Sequence, residues 1–241
     1  MTEMQGVHTA DAVLMPVYNE ASTVSAVLDA VRCHFKGEIL VVDDGSTDGT
    51  ARILEDRDDV VTLRHPVNCG YGRALVEGFA WALANDMQRV VTMDCDGQHE
   101  PAHIPQFLDA LGGESLVVSG SRYLPGSLST GVAPAERRRV NQRVTAMVND
   151  LTGWGITDAF CGFKAYSAEV LKGMTLREPG YGMPLEFWIR AHYAGIEVRE
   201  IPVERIYCDN DRTFGGDLDD AERRMAYYLR VWNETLRELE A

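Results

Sequence analysis

The hydrophobic positions of this chain fall into two alternating patterns. Short continuous apolar runs, of the length and β-branched content typical of buried strands, stand at residues 12–15, 38–42, 60–63, 90–93 and 116–119. The segments between them carry apolar residues at helical spacing, as in Val24, Val27, Leu28, Val31 and Phe35. Strands that alternate with helices predict an α/β fold with a mostly parallel central sheet and helices on both faces.

The pattern changes beyond Tyr123. Residues 124–134 are rich in Gly, Ser, Thr and Pro, which predicts a flexible loop before a helix that ends at Leu151. Another helix is predicted over residues 180–194, and a late strand over residues 197–203.

The last part of the chain is predicted to be a mobile acidic segment followed by a helix. Residues 209–220 are polar and contain glycine, and Asp219 or Asp220 is a suitable cap for a helix to about Glu240. Apolar side chains recur along this helix at Met225, Tyr228, Leu229, Trp232, Leu236 and Leu239. Such a face suits docking on the domain or on a second copy of the chain, so a homo-oligomer is one expectation.

The most informative polar residues follow the apolar run 90–93. The chain continues there as Asp94-Cys95-Asp96-Gly97-Gln98-His99. In open α/β sheets, ligands bind outside the carboxyl ends of the strands, and two acids spaced in this way can reach one Mg²⁺ or Mn²⁺ ion from the same side. The alternative is a turn whose acids cap the backbone, since Asp-Gly is common in turns.

Two further stretches could contact phosphates. The glycine-rich segment Asn68-Cys69-Gly70-Tyr71-Gly72 opens a predicted helix and could let a diphosphate approach the backbone, although a plain tight turn is equally compatible. Arg137, Arg138 and Arg139 form either a solvated basic face or an anion-binding group.

Composition and charge narrow the classes of function. The chain has 241 residues and a net charge of −14, which argues against nucleic-acid binding and against broad docking on anionic lipid. Its 5 cysteines contain no Cys-x-x-Cys pair, so reduced thiols are expected rather than a disulfide framework. Neither a signal segment nor a run of the ~20 apolar residues needed to span a bilayer is apparent, so a cytoplasmic location is expected.

The ordered set of motifs resembles family 2 glycosyltransferases of the GT-A fold, and more narrowly the dolichyl- and polyprenyl-phosphate sugar synthases and their soluble bacterial relatives. The resemblance covers residues 12–203. Its motifs are Pro16-Val17-Tyr18-Asn19-Glu20, Val41-Val42-Asp43-Asp44-Gly45-Ser46-Thr47-Asp48-Gly49-Thr50, Asn68-Cys69-Gly70-Tyr71-Gly72, Asp94-Cys95-Asp96-Gly97-Gln98-His99, Gly120-Ser121-Arg122, and Asp158 with Cys161-Gly162-Phe163-Lys164.

The resemblance implies a role for each of several residues. Nucleotide-sugar binding is implied for Pro16, Tyr18, Glu20, Val42, Asp44, Asp94, Cys95 and Gln98. Asp94 and Asp96 would form the DXD-type metal motif, with Mn²⁺ or Mg²⁺ as cofactor. The catalytic group would comprise Arg122, Arg137, Asp158 and Glu186, with the arginines facing the donor or an acceptor phosphate and the two acids near the transferred sugar.

The implied reaction moves a sugar from a GDP- or UDP-sugar with inversion of the anomeric centre. The acceptor is either polyprenyl or dolichyl phosphate at the cytoplasmic membrane face, which implies peripheral membrane association, or a soluble hydroxyl compound. A hydroxyl acceptor needs a general base, for which Asp158 is the candidate, whereas a phosphate acceptor needs arginines such as Arg137 and Arg138. The alternative to a catalytic role is a structural one, in which Asp158 caps a loop and Glu186 is an acid in the first turn of a helix.

The chain also departs from the synthases. Asn141 stands near the place of a serine, and Arg212 is a loose substitute for a late arginine. The expected organisation is a GT-A domain at residues 1–203, with a nucleotide-sugar half at about 12–123 and an acceptor half at about 124–203, followed by a mobile loop and C-terminal helix at 204–241. Two more distant functions stay open, namely a sugar nucleotidyltransferase and a non-catalytic nucleotide-sugar-binding scaffold.

Overall fold

The computed structural model describes residues 10–111, 117–130, 134–206 and 215–240. The strands are β1 (Asp11–Val17), β2 (Glu38–Asp43), β3 (Val61–Arg64), β4 (Arg89–Thr92), β5 (Val117–Ser121), β6 (Ser129–Thr130), β7 (Lys164–Ser167), β8 (Val198–Pro202) and β9 (Arg205–Ile206). The helices are α1 (Val24–His34), α2 (Thr50–Glu55), α3 (Tyr71–Ala84), α4 (Ile104–Ala110), α5 (Ala135–Thr152), α6 (Ala168–Gly173), α7 (Met183–Tyr193) and α8 (Ala221–Glu240).

Seven strands form the central sheet in the order β3-β2-β1-β4-β7-β5-β8. The pairs β1–β2, β1–β4, β2–β3 and β5–β8 are parallel, whereas β7 runs antiparallel to both β4 and β5. The prediction of a mostly parallel sheet flanked by helices is therefore confirmed. The reversed strand β7 and the short pair β6–β9 were not predicted.

The central strands are buried on both faces, which explains their continuous apolar character. Along β1, Val13 and Met15 belong to one core cluster, while Leu14 belongs to the other. Successive side chains of a strand point to opposite faces, so each strand contributes to both cores. The helix α3 packs very closely on one face, because a Cβ on Gly78 would lie 2.2 Å from a methyl carbon of Leu14.

The C-terminal helix α8 docks on this domain. Met225, Tyr228 and Trp232 are part of the same core cluster as Leu14. Asp220 caps the helix, since its Oδ1 accepts a hydrogen bond from the backbone N–H of Arg223 at 2.8 Å. The predicted apolar face of this helix therefore completes the core of its own chain.

Several expectations fall wholly or partly outside the described residues. Residues 207–214, which include Arg212 and the start of the acidic segment, are outside them, as are residues 131–133 of the predicted loop. The described remainder of the acidic segment contains a 3-10 turn at Gly216–Asp219. No helix in the described part of the chain combines the length and apolar character needed to cross a bilayer.

Candidate active site

The carboxyl ends of β1, β2, β4 and β5 border a cleft with a volume of about 800 Å³. Among the residues predicted to act in a site, the cleft is lined by Pro16, Tyr18, Glu20, Asp44, Asp94, Cys95, Asp96, Gln98, Arg122 and Arg137. Within the described residues, Val42, Asp158 and Glu186 lie outside this lining, and each is at most 3% exposed. The structure therefore gathers most of the predicted residues and places three of them in the interior.

A left-handed asparagine shapes one end of the cleft. Asn19 has a φ of 58°, a conformation that asparagine tolerates better than most residues. Its Oδ1 accepts hydrogen bonds from the backbone N–H groups of Thr47 at 2.8 Å and Asp48 at 3.3 Å. These bonds connect the loop after β1 to the loop after β2, and so fix the positions of Tyr18 and Glu20 at the cleft.

Asp44 connects β2 to the glycine-rich turn before α3. Its two carboxylate oxygens accept hydrogen bonds from the backbone N–H groups of Cys69 at 2.7 Å and Gly70 at 2.8 Å. The turn needs glycine, because Gly70 has a φ of 107°. The predicted glycine-rich entry is therefore present, and Asp44 holds it.

The buried His65 bridges two carboxylates. Its Nδ1 lies 2.6 Å from Asp44 Oδ1 and its Nε2 lies 2.7 Å from Glu77 Oε2. Burial alone would lower the pKa of His65, but the hydrogen bonds to both carboxylates outweigh it and raise the pKa. Asp44, His65 and Cys69 also place potential metal ligand atoms within 4.8 Å of one another. Because both ring nitrogens already contact carboxylates, the arrangement is that of a hydrogen-bond network.

The two acids after β4 are held by different partners. The hydroxyl of Tyr71 donates to Asp94 Oδ1 at 3.2 Å, and the backbone N–H of Gln98 donates to Asp96 Oδ1 at 2.9 Å. A Cβ on Gly162 would lie 2.5 Å from Asp94 Oδ2, so only glycine leaves room for this carboxylate.

His99 orients the first of these acids from the interior. Burial lowers the pKa of His99 to about 4, so the ring is neutral at physiological pH. Its Nδ1 accepts the backbone N–H of Asp94 at 3.0 Å, and its Nε2 lies 3.8 Å from Asp94 Oδ2. A neutral imidazole with its proton on Nε2 leaves Nδ1 able to accept this backbone hydrogen bond.

The surroundings of Asp94 and Asp96 fit a divalent metal ion. Both acids line the cleft and offer carboxylate oxygens, the ligands that Mg²⁺ and Mn²⁺ prefer.

Arg122 is fixed by Asp158, which lies directly behind the cleft lining. Asp158 Oδ2 accepts from Arg122 Nε at 2.6 Å, and Oδ1 accepts from Arg122 Nη2 at 2.9 Å and from Asn141 Nδ2 at 2.8 Å. Burial alone would raise the pKa of Asp158, but the ion pair with Arg122 outweighs it and holds that pKa below its usual range. Asp158 is thus an ionised carboxylate with several hydrogen-bond donors around it.

Glu186, in the first turn of α7, is buried and is not part of the cleft lining. Its Oε2 accepts from the backbone N–H groups of Arg177 at 2.9 Å and Glu178 at 2.7 Å, and its Oε1 accepts from Arg190 Nε at 2.9 Å. Arg190 in turn reaches Glu238 in α8 at 2.7 Å. These contacts anchor the segment before α7 and the C-terminal helix.

Two cationic residues of the cleft received no role from the sequence. Lys164, the first residue of β7, is 3% exposed, donates to the carbonyl of Cys161 and has a pKa lowered by burial. Arg224 of α8 is also 3% exposed and lines the cleft. For Arg224, the sequence did contain a signal. It lies four residues before Tyr228, and so on the same side of the helix as the apolar residues that dock.

Comparison with known proteins identifies the family. The model for "Glycosyl transferase family 2" matches residues 12–174. The undecaprenyl-phosphate mannosyltransferase of Micrococcus luteus is 31% identical over 199 residues, which are 79% of this chain and 81% of that protein. The polyprenol monophosphomannose synthase of Mycolicibacterium smegmatis is 33% identical over 201 residues, which are 79% of this chain and 75% of that protein.

A solved structure shows the same fold. Glucosyl-3-phosphoglycerate synthase from Mycobacterium tuberculosis, in complex with Mn²⁺, UDP and glucosyl-3-phosphoglycerate, superposes with a TM-score of 0.70 at 21% identity, covering 93% of this chain and 79% of that chain. The expected GT-A fold is therefore confirmed. With the family model matching more than half of its length, the chain belongs to glycosyl transferase family 2 and is a glycosyltransferase.

Proposed function

We propose that the protein transfers a sugar from a nucleoside-diphosphate sugar to polyprenyl phosphate. The observation that carries the proposal is that one cleft holds both the Asp94 and Asp96 carboxylates and a set of arginines, namely Arg122, Arg137 and Arg138. The carboxylates suit a metal-bound diphosphate, and the arginines suit an anionic acceptor. The two bacterial relatives, which are named for polyprenyl-type acceptors and for mannose, support the same reading and make a mannosyl donor the first to test.

The donor would lie along the ends of β1, β2 and β4. Pro16, Tyr18, Glu20 and Asp44 would contact the nucleoside, with Val42 supporting them from the core. Asp94 and Asp96 would hold Mn²⁺ or Mg²⁺, with Cys95 and Gln98 beside them. When bound, such an ion stabilises the negative charge of the leaving nucleoside diphosphate.

The acceptor chemistry follows from the ion pair of Asp158. A hydroxyl acceptor would need a general base, yet Asp158 accepts hydrogen bonds from Arg122 and Asn141, and its pKa is lowered. A phosphate acceptor is already anionic and needs no base. We therefore assign Asp158 the positioning of Arg122, which leaves Arg122 and Arg137 to bind the phosphate.

The halves of the chain would divide this work. Residues of about 12–123 would bind the nucleotide-sugar, and residues of about 124–203 together with α8 would bind the acceptor. A polyprenyl phosphate lies in a membrane, so the protein would act at the cytoplasmic membrane face as a peripheral protein.

The test is a transfer assay with the full chain. GDP-mannose, and then other GDP- and UDP-sugars, are incubated with polyprenyl phosphate in detergent and Mn²⁺, Mg²⁺ or EDTA. Metal-dependent formation of a glycosyl lipid that needs the lipid phosphate is the expected result. Asp96→Asn should abolish turnover, whereas the matched control Asp58→Asn, on the exposed surface, should retain it.

Other outcomes would contradict the proposal. Equal turnover onto a soluble hydroxyl acceptor without lipid would favour the alternative acceptor class. Nucleotide binding without turnover, in the parent protein and in Asp96→Asn alike, would favour a binding scaffold.

A further inference from the structure

Arg224 lies in the first turn of the C-terminal helix but belongs to the cleft. It is 3% exposed and lines the cleft together with Tyr228 and Gly215. Its neighbour Arg223 is exposed and pairs with Asp217 at the surface. Adjacent arginines of one helix turn are therefore placed in opposite environments, one in solvent and one in the cleft.

The side chain of Arg224 is held by backbone carbonyls. Its Nη1 donates to the carbonyl oxygens of Leu218 at 2.6 Å and Asp219 at 3.4 Å, both in the 3-10 turn before α8. These carbonyl oxygens orient the guanidinium, a group that has five N–H donors. A positioned, buried guanidinium is well suited to bind a phosphate through more than one hydrogen bond.

One aromatic contact joins the helix that carries Arg224 to the segment beside Asp94. The ring of Tyr228, one turn after Arg224, lies 4.8 Å from the ring of Phe160. Phe160 precedes Cys161 and Gly162, and Gly162 abuts the Asp94 carboxylate. Arg224 and Asp94 both line the cleft.

We propose that Arg224 binds a phosphate group of a substrate, so that the C-terminal helix contributes a ligand to the active site. The proposal rests on the proposed function for the presence of phosphates in the cleft. The phosphate belongs either to the nucleoside-diphosphate donor or to the lipid acceptor, and these two sources are separated by experiment. Arg224 would act alongside Arg122 and Arg137, which reach the cleft from other elements.

The test compares Arg224→Gln and Arg224→Lys with the matched control Arg223→Gln. Each Gln variant keeps a polar side chain and removes one positive charge from the same helix turn. Binding of inorganic pyrophosphate and of GDP with Mn²⁺ is measured by calorimetry, and turnover gives KM for polyprenyl phosphate and kcat. Thermal unfolding reports whether each variant is folded.

The expected result is a loss of phosphate recognition in Arg224→Gln. A tenfold or larger rise in Kd for pyrophosphate and GDP would identify the donor diphosphate as the ligand. A similar rise in KM for polyprenyl phosphate with an unchanged Kd for GDP would identify the acceptor. Arg224→Lys should recover part of the loss, and Arg223→Gln should stay within twofold of the parent protein.

Two results would overturn the inference. One is a folded Arg224→Gln protein whose Kd and KM values all stay within twofold of the parent. The other applies if Arg224→Gln does not fold, namely a folded Arg224→Met protein, which keeps the length but lacks the charge, with parental Kd and KM for every phosphate ligand. Failure of the parent protein to glycosylate any lipid would contradict the proposed function, but the pyrophosphate comparison would still decide the role of Arg224.

Discussion

Asp158 and Arg122 form a two-point ion pair beneath the cleft, with contacts of 2.6 Å and 2.9 Å and an aspartate that is fully buried. The backbone N–H of Arg122 also donates to Asp158, at 3.2 Å. A buried carboxylate of this kind fixes the direction of the guanidinium, so the pair determines how Arg122 faces a ligand.

Breaking this pair should cost both stability and turnover. In Asp158→Asn, the partly buried guanidinium of Arg122 loses its counter-charge, and we expect a loss of about 3–5 kcal/mol in unfolding free energy. Urea denaturation measures this loss. Asp29→Asn is the control, because Asp29 pairs with Arg57 on the surface with 66% of its side chain exposed, and it should change stability by about 1 kcal/mol or less.

A double variant separates the two effects. Arg122→Leu with Asp158→Leu removes both charges, so part of the lost stability should return while turnover stays absent. Turnover that survived in the double variant would show that the guanidinium has no part in the reaction.

Gly162→Ala should weaken metal-dependent nucleotide binding while the fold persists. The new methyl carbon would lie 2.5 Å from Asp94 Oδ2, and the end of the Asp94 side chain would have to move. We expect a tenfold or larger rise in the Kd for nucleotide in the presence of Mn²⁺, measured by calorimetry. The control is Gly173→Ala, where an added Cβ meets nothing within 4 Å. An unchanged Kd in Gly162→Ala would exclude a strict requirement for this position of Asp94.

The His65 bridge should make stability depend on pH in a defined direction. The pKa of His65 is raised in the fold, so its contribution is complete below about 6.5, the value for an unfolded histidine, and is lost as the pH rises through the folded value. The charged groups that face the His65 ring are the carboxylates of Asp44 and Glu77, and Arg73 forms an ion pair with Glu77.

The measurement is the unfolding free energy of the parent protein and of His65→Gln between pH 6 and pH 9. The advantage of the parent should shrink as the pH rises, because the imidazolium loses a proton that the two carboxylates stabilise. A constant difference across this range would mean that His65 acts without its charge.

Glu186→Gln distinguishes a structural role from the sugar contact that the resemblance implied. The carboxylate accepts from two backbone N–H groups and from Arg190, so its replacement should cost about 2 kcal/mol of unfolding free energy. Below the unfolding temperature, kcat should stay within a few-fold of the parent value. A large loss of kcat with unchanged stability would instead support the sugar contact.

Sequence reasoning succeeded where local pattern and strand position carry the information. The strands β1, β2 and β4 have apolar central residues because both faces are buried, and polar residues follow them at one edge of the sheet. The cleft at the ends of β1, β2 and β4 could therefore be predicted from the order of strands and polar residues along the sequence.

The features of the fold and of the site that the sequence did not predict depend on contacts between residues distant in the sequence. The strand β7 has only four residues and starts with Lys164, which does not indicate a buried strand, and its pairing with β4 joins Thr92 to Lys164. The partnership of Asp158 with Arg122 likewise follows from packing. Arg224 lines the cleft because α8 docks on the domain, a contact that the sequence of the helix does not reveal.

The reversed strand has a consequence for the order in which the domain folds. Within the sheet, β5 pairs with β7 and β8, so it joins β4 only through β7. A nascent chain that has not yet reached Lys164 can assemble β1 to β4 from nearby contacts, but it keeps β4 as an open edge of the sheet. Open edges recruit strands from other chains, and distant pairings form slowly. Completion of the sheet thus waits for a four-residue strand, and until that strand docks the chain is most exposed to aggregation.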